Sequence, residues 1–279
     1  QGYSSAASDV YKRQALHLAA MAVGITRGDE VIVPTLTFIA AVNPLTRYVG
    51  AEPIFIGCND TLCIDPDAVE DFCANHCTLK EDGLYNNKTG ARVRALGVVH
   101  VFGNMADMPR LTAIAKRYHL ILIEDATEAL GTRCTTGPFA GKFAGTIGDI
   151  GCYSFNGNKI ITGSAGGCLL TNSLEDANRA RKWATQAREN AAWYQHEEVG
   201  YNYRMSNVVA GVVRGQYPHL QEHIAQKKAV YERYREGLRD LPVTMNPIVA
   251  GTEPNYWLSA LIIDEDAMCP QVRSDNEAL

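Results

Sequence analysis

Two segments of the chain carry side chains suited to carbonyl chemistry. The apolar run ILIED ends at Asp125, and a later run, IGCYSFN, is followed by Lys159. Ser154, Asn156 and Asn158 flank this lysine in a turn whose small residues let backbone amides approach an anion. A lysine in a partly desolvated site loses its preference for the ammonium form, and the neutral amine can form a Schiff base.

A carboxylate at one strand end and a lysine after a later strand are the pair that pyridoxal phosphate requires. The lysine reacts with the aldehyde, and the carboxylate faces the protonated ring nitrogen. Each residue alone has a simpler interpretation, because an Asp after a strand often caps a helix and a Lys near glycines is often solvated. The two residues together therefore predict the cofactor.

The elements that must position this pair alternate along the chain. Apolar runs bounded by Gly, Pro, Asn or Asp predict strands at DEVIVPT, EPIFIGC, VRALGVVHVFG, HLILIEDA, IGCYSFN and GGCLLTN. Helix-spaced apolar residues between them predict helices at ALHLAAMAVG, PRLTAIAKRYH and LEDANRARKWA. This alternation predicts an α/β fold with a mostly parallel sheet flanked by helices, and a ligand at the carboxyl ends of the strands.

Two less regular segments interrupt this pattern. Residues 77–93 are polar and rich in Gly and Asn, which predicts an inserted surface loop. The charged helical pattern from Asn207 to Leu238 contains Pro218, which predicts a kink or a split into two helices.

The ends of the chain set the predicted domain boundaries. Ordinary codons for residues 4–14, SSAASDVYKRQ, reproduce a transposase adapter used in DNA sequencing libraries, so we expect residues 1–14 to be non-native. A large cofactor-binding domain, whose own N-terminus is missing, is expected over residues 15–240. Beyond Pro242, NYWLSALIID predicts a strand, and residues 241–279 are expected to begin a truncated small domain.

Composition limits the classes of partner. The 279 residues are 46% hydrophobic and carry a formal net charge of −5, so there is no sequence-wide basic field for nucleic acid or an anionic membrane. The apolar runs fall far short of the roughly 20 residues that cross a bilayer. We expect neither nucleic acid nor membrane as a partner, and, without a recognisable secretion signal, a cytoplasmic protein.

Several cysteines lie close together in the sequence. Cys58, Cys63, Cys73, His76 and Cys77 suggest a metal hypothesis, but their spacing matches no paired CxxC motif. Small, reduced, buried thiols are the favoured interpretation and no metal is predicted. A cysteine-ligated zinc module remains the alternative.

Six motifs resemble, in order and spacing, the DegT/DnrJ/EryC1/StrS sugar aminotransferases, which are fold-type-I pyridoxal phosphate enzymes. They are GDEVIVPTLTFIAAVNP, VHVFGNMADM, IEDATEALG, GDIGCYSFNGNKIIT, TQARENAAWYQHEEVGYNYRMSN and YWLSALIID. The resemblance covers residues 15–279 and is greatest to enzymes that aminate C4 of UDP-linked 4-keto-6-deoxy-N-acetylhexosamines, on the bacillosamine and legionaminic acid routes. It implies transfer of an amino group from glutamate through pyridoxal 5'-phosphate to that ketone.

The resemblance also implies a role for each matching residue. Lys159 is the catalytic residue that forms the Schiff base, and Asp125 pairs with the pyridine nitrogen. Glu128 lies beside the ring hydroxyl, Phe38 stacks on the ring, and Ser154 binds the phosphate. Relatives that carry histidine in place of the lysine remove a hydroxyl instead, and the lysine argues against that chemistry.

Two further residues lie in the TQARENAAWYQHEEVGYNYRMSN segment. Asn202 is implied to reach the phosphate in the neighbouring subunit of a homodimer, and His196 lies in a stretch that faces the sugar. Simpler interpretations remain open, with Phe38 in the core, Asn202 bracing a loop and His196 solvated.

One position departs from the family pattern. Relatives place a Ser/Gly-x-Thr turn before the helix that is expected to begin at Ala15, and the position of its hydroxyl falls here on Arg13. That turn holds the cofactor phosphate at a helix N-terminus. The alternative function is a catalytically inactive or regulatory family homologue or fragment, either because the chain is truncated or because it serves in binding or regulation.

Overall fold

A computed structural model describes residues 12–267 of the chain. The helices are α1 (Lys12–Ala22), α2 (Ile39–Val42), α3 (Pro66–Asn75), α4 (Met108–Arg117), α5 (Leu174–Ala184), α6 (Asn207–Gln216) and α7 (Leu220–Gly237). The strands are β1 (Glu30–Pro34), β2 (Glu52–Ile56), β3 (Cys77–Lys80), β4 (Gly83–Asn86), β5 (Arg92–Val99), β6 (Ile121–Asp125), β7 (Arg133–Cys134), β8 (Ile150–Ser154), β9 (Gly167–Thr171), β10 (Val243–Met245), β11 (Thr252–Glu253) and β12 (Leu261–Ile263). Most of the predicted adapter segment, Cys269 and the C-terminal part of the predicted small domain lie outside the described residues.

The central sheet is mixed but mainly parallel. Its strand order is β2-β1-β5-β6-β8-β9, and the first four of these pairings are parallel whereas β8 and β9 are antiparallel. Since parallel strands place their carboxyl ends at one edge, the turns after β1, β5, β6 and β8 meet there. The predicted α/β architecture is confirmed.

Two apolar layers cover the sheet. Leu96 of β5 and Leu122 of β6 pack with the buried faces of α3 and α4, whereas their neighbours Ala95 and Ile123 pack with α1 and α5. Successive strand residues point to opposite faces, so a strand buried on both sides must be apolar throughout. This explains why the strand sequences are continuous apolar runs.

Side-chain caps fix the beginnings of four helices. Asp65, Asp107, Ser173 and Ser206 each accept a hydrogen bond from a backbone N–H in the first turn of α3, α4, α5 and α6, respectively. Such caps satisfy donors that have no partner within the helix. They orient the helices that follow the strands.

Residues 77–93 differ from the predicted surface loop. Their first ten residues form a hairpin in which β3 pairs with β4, and β4 pairs with the start of β5. Gly83 adopts a φ of +151° at the turn, and Leu84 is fully buried beneath the hairpin. The loop prediction was wrong because strands of only four residues are too short to show a clear alternation in sequence.

The split of the long helical pattern is confirmed. The helix α6 ends at Gln216, residues Tyr217–His219 form one 3-10 turn containing Pro218, and α7 then begins at Leu220. No residue of α6 is buried in the single chain, and Val208 and Val212 are exposed. Proline both removes a hydrogen-bond donor and clashes with the preceding turn.

Both ends of the described chain differ from the sequence expectations. The helix α1 begins at Lys12 rather than Ala15. In the predicted strand NYWLSALIID, only Leu261–Ile263 is paired, and its partner is β10. Residues 255–260 belong to no strand. Between residues 12 and 267, none of the helices combines the length and apolar character needed to span a bilayer.

Candidate active site

Lys159 lies in the turn after β8 and is almost fully buried. Its side chain is 7% exposed, and its Nζ lies 3.7 Å from Oε1 of Glu128 and 3.6 Å from the ring centre of Trp257. Burial lowers the pKa of the Lys159 amine to about 8, although the Glu128 carboxylate opposes this shift. The site thus contains an amine that gives up its proton far more readily than an ordinary lysine.

Asp125 is the last residue of β6, next to β8 in the sheet. Its Oδ1 accepts a hydrogen bond from the Thr127 backbone N–H at 3.2 Å. Its Oδ2 is buried and accepts no hydrogen bond from the described residues, although Lys12 Nζ lies 3.2 Å away. The two findings agree, because an ammonium at that distance attracts the carboxylate even when its geometry is unsuitable for a hydrogen bond.

Glu128 connects the turn after β6 to the turn after β5. Its Oε2 accepts a hydrogen bond of 2.7 Å from the backbone N–H of Phe102, whose φ is +58°. Burial raises the pKa of Glu128, although Lys159 and this hydrogen bond act in the opposite direction. Since burial also lowers the pKa of Lys159, desolvation outweighs the mutual attraction of this pair.

A cavity of about 280 Å³ opens beside these residues. Its lining includes Lys12, Arg13, Phe38, Ser154, Asn156 and Lys159. The Ser154 hydroxyl oxygen accepts a hydrogen bond from the Asn156 backbone N–H at 3.3 Å. The ring of Phe38 is 57% exposed, so the alternative that it belongs to the core is wrong.

These residues fit pyridoxal phosphate. One cavity contains a partly deprotonated amine at Lys159, a hydroxyl at Ser154 and an aromatic ring at Phe38, and the orphaned Oδ2 of Asp125 lies beside it. A buried carboxylate oxygen without a donor is costly unless a ligand supplies one, and a protonated ring nitrogen is such a donor. Lys12 is the feature that interferes with this fit.

Asn202 and His196 lie apart from this cavity. Asn202 is exposed and lines a second cavity of about 600 Å³ together with Arg188 and Arg204. The exposed His196 donates a hydrogen bond from Nδ1 to the Gln186 carbonyl oxygen at 2.9 Å. Their proposed roles therefore depend on a second subunit or on substrate, and they stay predictions.

Most thiols of the cysteine-rich segment lie in the apolar core. Cys63, Cys73 and Cys77 are buried and Cys58 is exposed, all with free thiols. Burial raises the pKa of Cys73 to about 12, which keeps this thiol protonated. Within residues 12–267 no group of three or more His, Cys, Asp or Glu is placed to hold a metal ion.

Sequence reasoning missed three residues of the site. Lys12 was set aside with the segment predicted to be foreign, and Trp257 and the fully buried Asn255 were assigned to a strand. The NYW triplet interrupts the alternation expected of a strand, which was the available signal that this stretch does something else.

A sequence profile of the DegT/DnrJ/EryC1/StrS aminotransferase family matches residues 13–275. The chain belongs to this family. EpsN, a putative pyridoxal phosphate-dependent aminotransferase of Bacillus subtilis, is 37% identical over 265 residues, which cover 94% of this chain and 64% of EpsN. The GDP-perosamine synthase of Escherichia coli O157:H7 is 34% identical, over 89% of this chain and 62% of that enzyme.

The fold is shared with solved members of the family. A DegT/DnrJ/EryC1/StrS aminotransferase from Brucella abortus superposes with a TM-score of 0.81 at 25% identity, covering 96% of this chain and 68% of that one. The chain spans 64% of EpsN and 62% of the GDP-perosamine synthase, which is somewhat less than two thirds of the length of each. The predicted family and fold class are confirmed, and pyridoxal phosphate is the cofactor of this family.

Proposed function

We propose that the protein transfers an amino group through pyridoxal phosphate to the ketone of a nucleotide-linked sugar. One observation carries the proposal. Asp125 ends β6 and Lys159 follows the adjacent strand β8, so the two residues meet beside one cavity. The Lys159 amine has a pKa of about 8, and Asp125 has a buried oxygen that lacks a hydrogen-bond donor.

Lys159 supplies both the reactive amine and the proton transfer. With a pKa of about 8, about one molecule in ten has a neutral amine at pH 7, which suits attack on an aldehyde. After an amino donor has displaced it, the freed Nζ accepts the proton from the donor's Cα and later returns a proton to the product carbon. A pKa close to neutrality allows both directions.

The carboxylates complete this arrangement. When bound, the cofactor supplies an electron sink for the carbanion that forms at the donor carbon. Asp125 holds a proton on the ring nitrogen, because its buried carboxylate disfavours loss of the neighbouring positive charge. Glu128 lies next to Lys159, and we propose that it would bond the ring hydroxyl.

The cavity lining supports a phosphate-bearing ligand. Ser154 offers a hydroxyl, and Arg13 offers a guanidinium at the position that a hydroxyl occupies in relatives. Phe38 presents an exposed ring at the cavity wall, as stacking requires. These residues are proposed to hold the phosphate and the ring of the cofactor.

The finer specificity rests on the sequence resemblance. We propose glutamate as the amino donor and the C4 ketone of a nucleotide-linked 4-keto-6-deoxy sugar as the acceptor. Similarity to a GDP-perosamine synthase supports a nucleotide sugar as the substrate class. His196 is proposed to face the sugar.

A homodimer completes the proposed site. The helix α6 buries none of its residues in the single chain and exposes Val208 and Val212. Asn202 lies shortly before this helix on an exposed segment, so a partner that covers α6 can also receive Asn202. We propose that Asn202 contacts the phosphate held by the partner subunit.

One observation favours a second candidate function, a catalytically inactive or regulatory homologue. Lys12 already places a positive charge 3.2 Å from the Asp125 oxygen that the cofactor nitrogen requires. A chain that binds the cofactor weakly retains the fold but not the reaction.

The deciding experiment follows the cofactor and the donor separately. Protein mixed with pyridoxal phosphate is expected to develop the visible absorption of a lysine-bound cofactor, and Lys159→Ala is expected to lack it. Asp125→Asn keeps the shape but is expected to weaken cofactor binding about 100-fold, because the carboxylate charge is lost.

Addition of glutamate is then expected to bleach the visible band and release 2-oxoglutarate. A panel of 3-keto and 4-keto nucleotide sugars, assayed for the aminated product, identifies the acceptor. A chain that binds the cofactor at Lys159 but bleaches with no amino donor would establish the inactive homologue instead.

A further inference from the structure

Trp257 places its indole face against the proposed catalytic lysine. The ring centre lies 3.6 Å from Lys159 Nζ, and the residue is 2% exposed. The same Nζ lies 3.7 Å from Glu128 Oε1. An ammonium over an aromatic face is attracted by the negative charge density of the ring.

Two hydrogen bonds fix the position of this ring. Trp257 Nε1 donates to the Asn158 carbonyl oxygen at 2.8 Å, and the Trp257 backbone N–H donates to Asn255 Oδ1 at 2.9 Å. Asn158 directly precedes Lys159, so the first bond ties the ring to the turn that carries the lysine. The ring therefore cannot move away from the amine without breaking this partly buried hydrogen bond.

Asn255 anchors the same segment to the turn after β6. Its Nδ2 donates to the carbonyl oxygens of Glu128 and Leu130 at 2.8 and 3.0 Å. A Cβ on Gly103 would lie 1.9 Å from Asn255 Oδ1, so only glycine permits this close approach. The chain beyond α7 is thus fastened to both of the turns that supply Lys159 and Glu128.

We propose that Trp257 is a positioning residue for Lys159. The face of the Trp257 ring holds the protonated Lys159 amine beside Glu128 within the cavity wall. This inference rests on the proposed role of Lys159. Glu128 supplies a charge and Trp257 a polarisable surface, so a lysine released by the amino donor keeps a defined position. Without the ring, the flexible side chain adopts other rotamers in the space that the indole vacates.

The proposal predicts a change in proton affinity that mere packing does not produce. The pKa of the Lys159 amine is to be measured in the cofactor-free full chain, by competitive acetylation across pH followed by peptide mass spectrometry. Trp257→Phe keeps an aromatic face, whereas Trp257→Leu keeps only apolar volume. Both side chains are smaller than the indole, so water can enter the vacated space in either variant. Its effect on the pKa of Lys159 therefore cancels when the two variants are compared.

The expected result is a lower pKa for Lys159 in Trp257→Leu than in Trp257→Phe. The difference should be about one pH unit, a tenfold change in proton affinity, because a cation over an aromatic ring is stabilised by about that much. Equal pKa values in the two variants would overturn the proposal and leave Trp257 as a packing residue.

Trp183 provides the matched control. It is also buried, and its Nε1 donates to Glu198 at 2.8 Å, but its ring lies over Arg179 rather than Lys159. Trp183→Phe and Trp183→Leu are expected to lower thermal stability while leaving the pKa of Lys159 unchanged. A change in the pKa of Lys159 that is as large in the Trp183 variants as in Trp257→Leu would also overturn the proposal.

The test separates this inference from the proposed function. The acetylation measurement requires no cofactor, whereas the visible band lost in Lys159→Ala requires it. A chain without aminotransferase activity can still show the pKa difference, and an active chain can lack it.

Discussion

Lys12 of α1 reaches across the cavity to Asp125 of β6, with Nζ 3.2 Å from Oδ2. The same ammonium donates a hydrogen bond to Thr127 Oγ1 at 3.1 Å and lies 5.8 Å from the ring centre of Phe38. Lys12 thus occupies the position that we propose for the protonated ring nitrogen facing Asp125. Under that proposal, a residue of the predicted foreign segment competes with the cofactor.

Lys12→Met is expected to raise the affinity for pyridoxal phosphate about tenfold, which corresponds to about 1.4 kcal/mol. The substitution removes the competing charge but keeps a long side chain, so the Asp125 carboxylate loses its neighbouring cation and its Oδ2 still lacks a donor. The affinity is to be measured by titrating the visible band. Lys116→Met, at an exposed position of α4, is the control and should leave the affinity unchanged. Weaker binding in Lys12→Met would instead show that Lys12 helps to hold the phosphate.

The buried amine of Lys159 should reduce the stability of the cofactor-free chain. Its pKa of about 8 in the folded protein lies below the ordinary value of 10.5. Between these values the unfolded chain binds more protons than the folded chain, so the stability contributed by this group rises with pH. The penalty is fully present below pH 8 and is lost as the pH approaches 10.5.

Lys159→Met is therefore expected to stabilise the cofactor-free chain at pH 7, by about 2–3 kcal/mol. The gain should shrink markedly by pH 10, because the lysine is then neutral in the folded protein. Urea denaturation at both pH values measures the difference, with Lys116→Met as the exposed control. A gain of the same size at both pH values would mean that the amine does not titrate as described.

Glu124, which precedes Asp125, anchors the strand end that carries the site. It is fully buried and accepts hydrogen bonds of 2.5–2.9 Å from His100 Nε2 and from the backbone N–H groups of Gly145, Ile147 and Gly148. Burial alone raises the pKa of Glu124, but these donors lower it below its ordinary value. The resulting stabilisation is present above pH 4.5 and is lost as the pH falls through the lowered pKa.

Glu124→Gln is expected to destabilise the chain by about 2–4 kcal/mol at pH 7, because the new amide group directs a donor at existing donors. Denaturant unfolding gives the magnitude. Glu81→Gln, in the exposed turn of the hairpin, is the control and should change stability by less than about 0.5 kcal/mol. Similar effects of the two substitutions would contradict the anchoring role of Glu124.

The positions of the central strands and of Lys159 could be predicted from sequence. The apolar runs that end at Asp125 and Ser154 are buried on both faces, and such strands must be apolar throughout. Because the carboxyl ends of parallel strands meet at one edge, the proximity of Asp125 and Lys159 followed from the alternation of elements.

Other parts of the site depend on contacts that no local pattern specifies. Trp257 and Lys12 reach Lys159 and Asp125 from distant parts of the chain, through side-chain contacts rather than strand pairing. The hairpin of β3 and β4 was missed because its short strands are stabilised by pairing with each other, and β4 also by pairing with β5, rather than by their own composition. Tertiary contacts outweighed local propensity in both cases.

The substitution Gly103→Ala tests how tightly residues 255–258 are held at the site. Its φ is +89°, and an added Cβ would lie 1.9 Å from Oδ1 of the fully buried Asn255. Gly103→Ala should therefore destabilise the chain by about 3 kcal/mol or more, through both backbone strain and loss of the Asn255 hydrogen bonds.

Gly137→Ala is the matched control for Gly103→Ala, because Gly137 has a φ of +76° and nothing within 4 Å of an added Cβ. Backbone strain alone should cost about 1 kcal/mol there. Thermal unfolding measures both variants, and the excess loss in Gly103→Ala reports the clash with Asn255. Equal losses would show that residues 255–258 can shift away from the cavity without cost, and Trp257 would then lack the fixed position inferred for it.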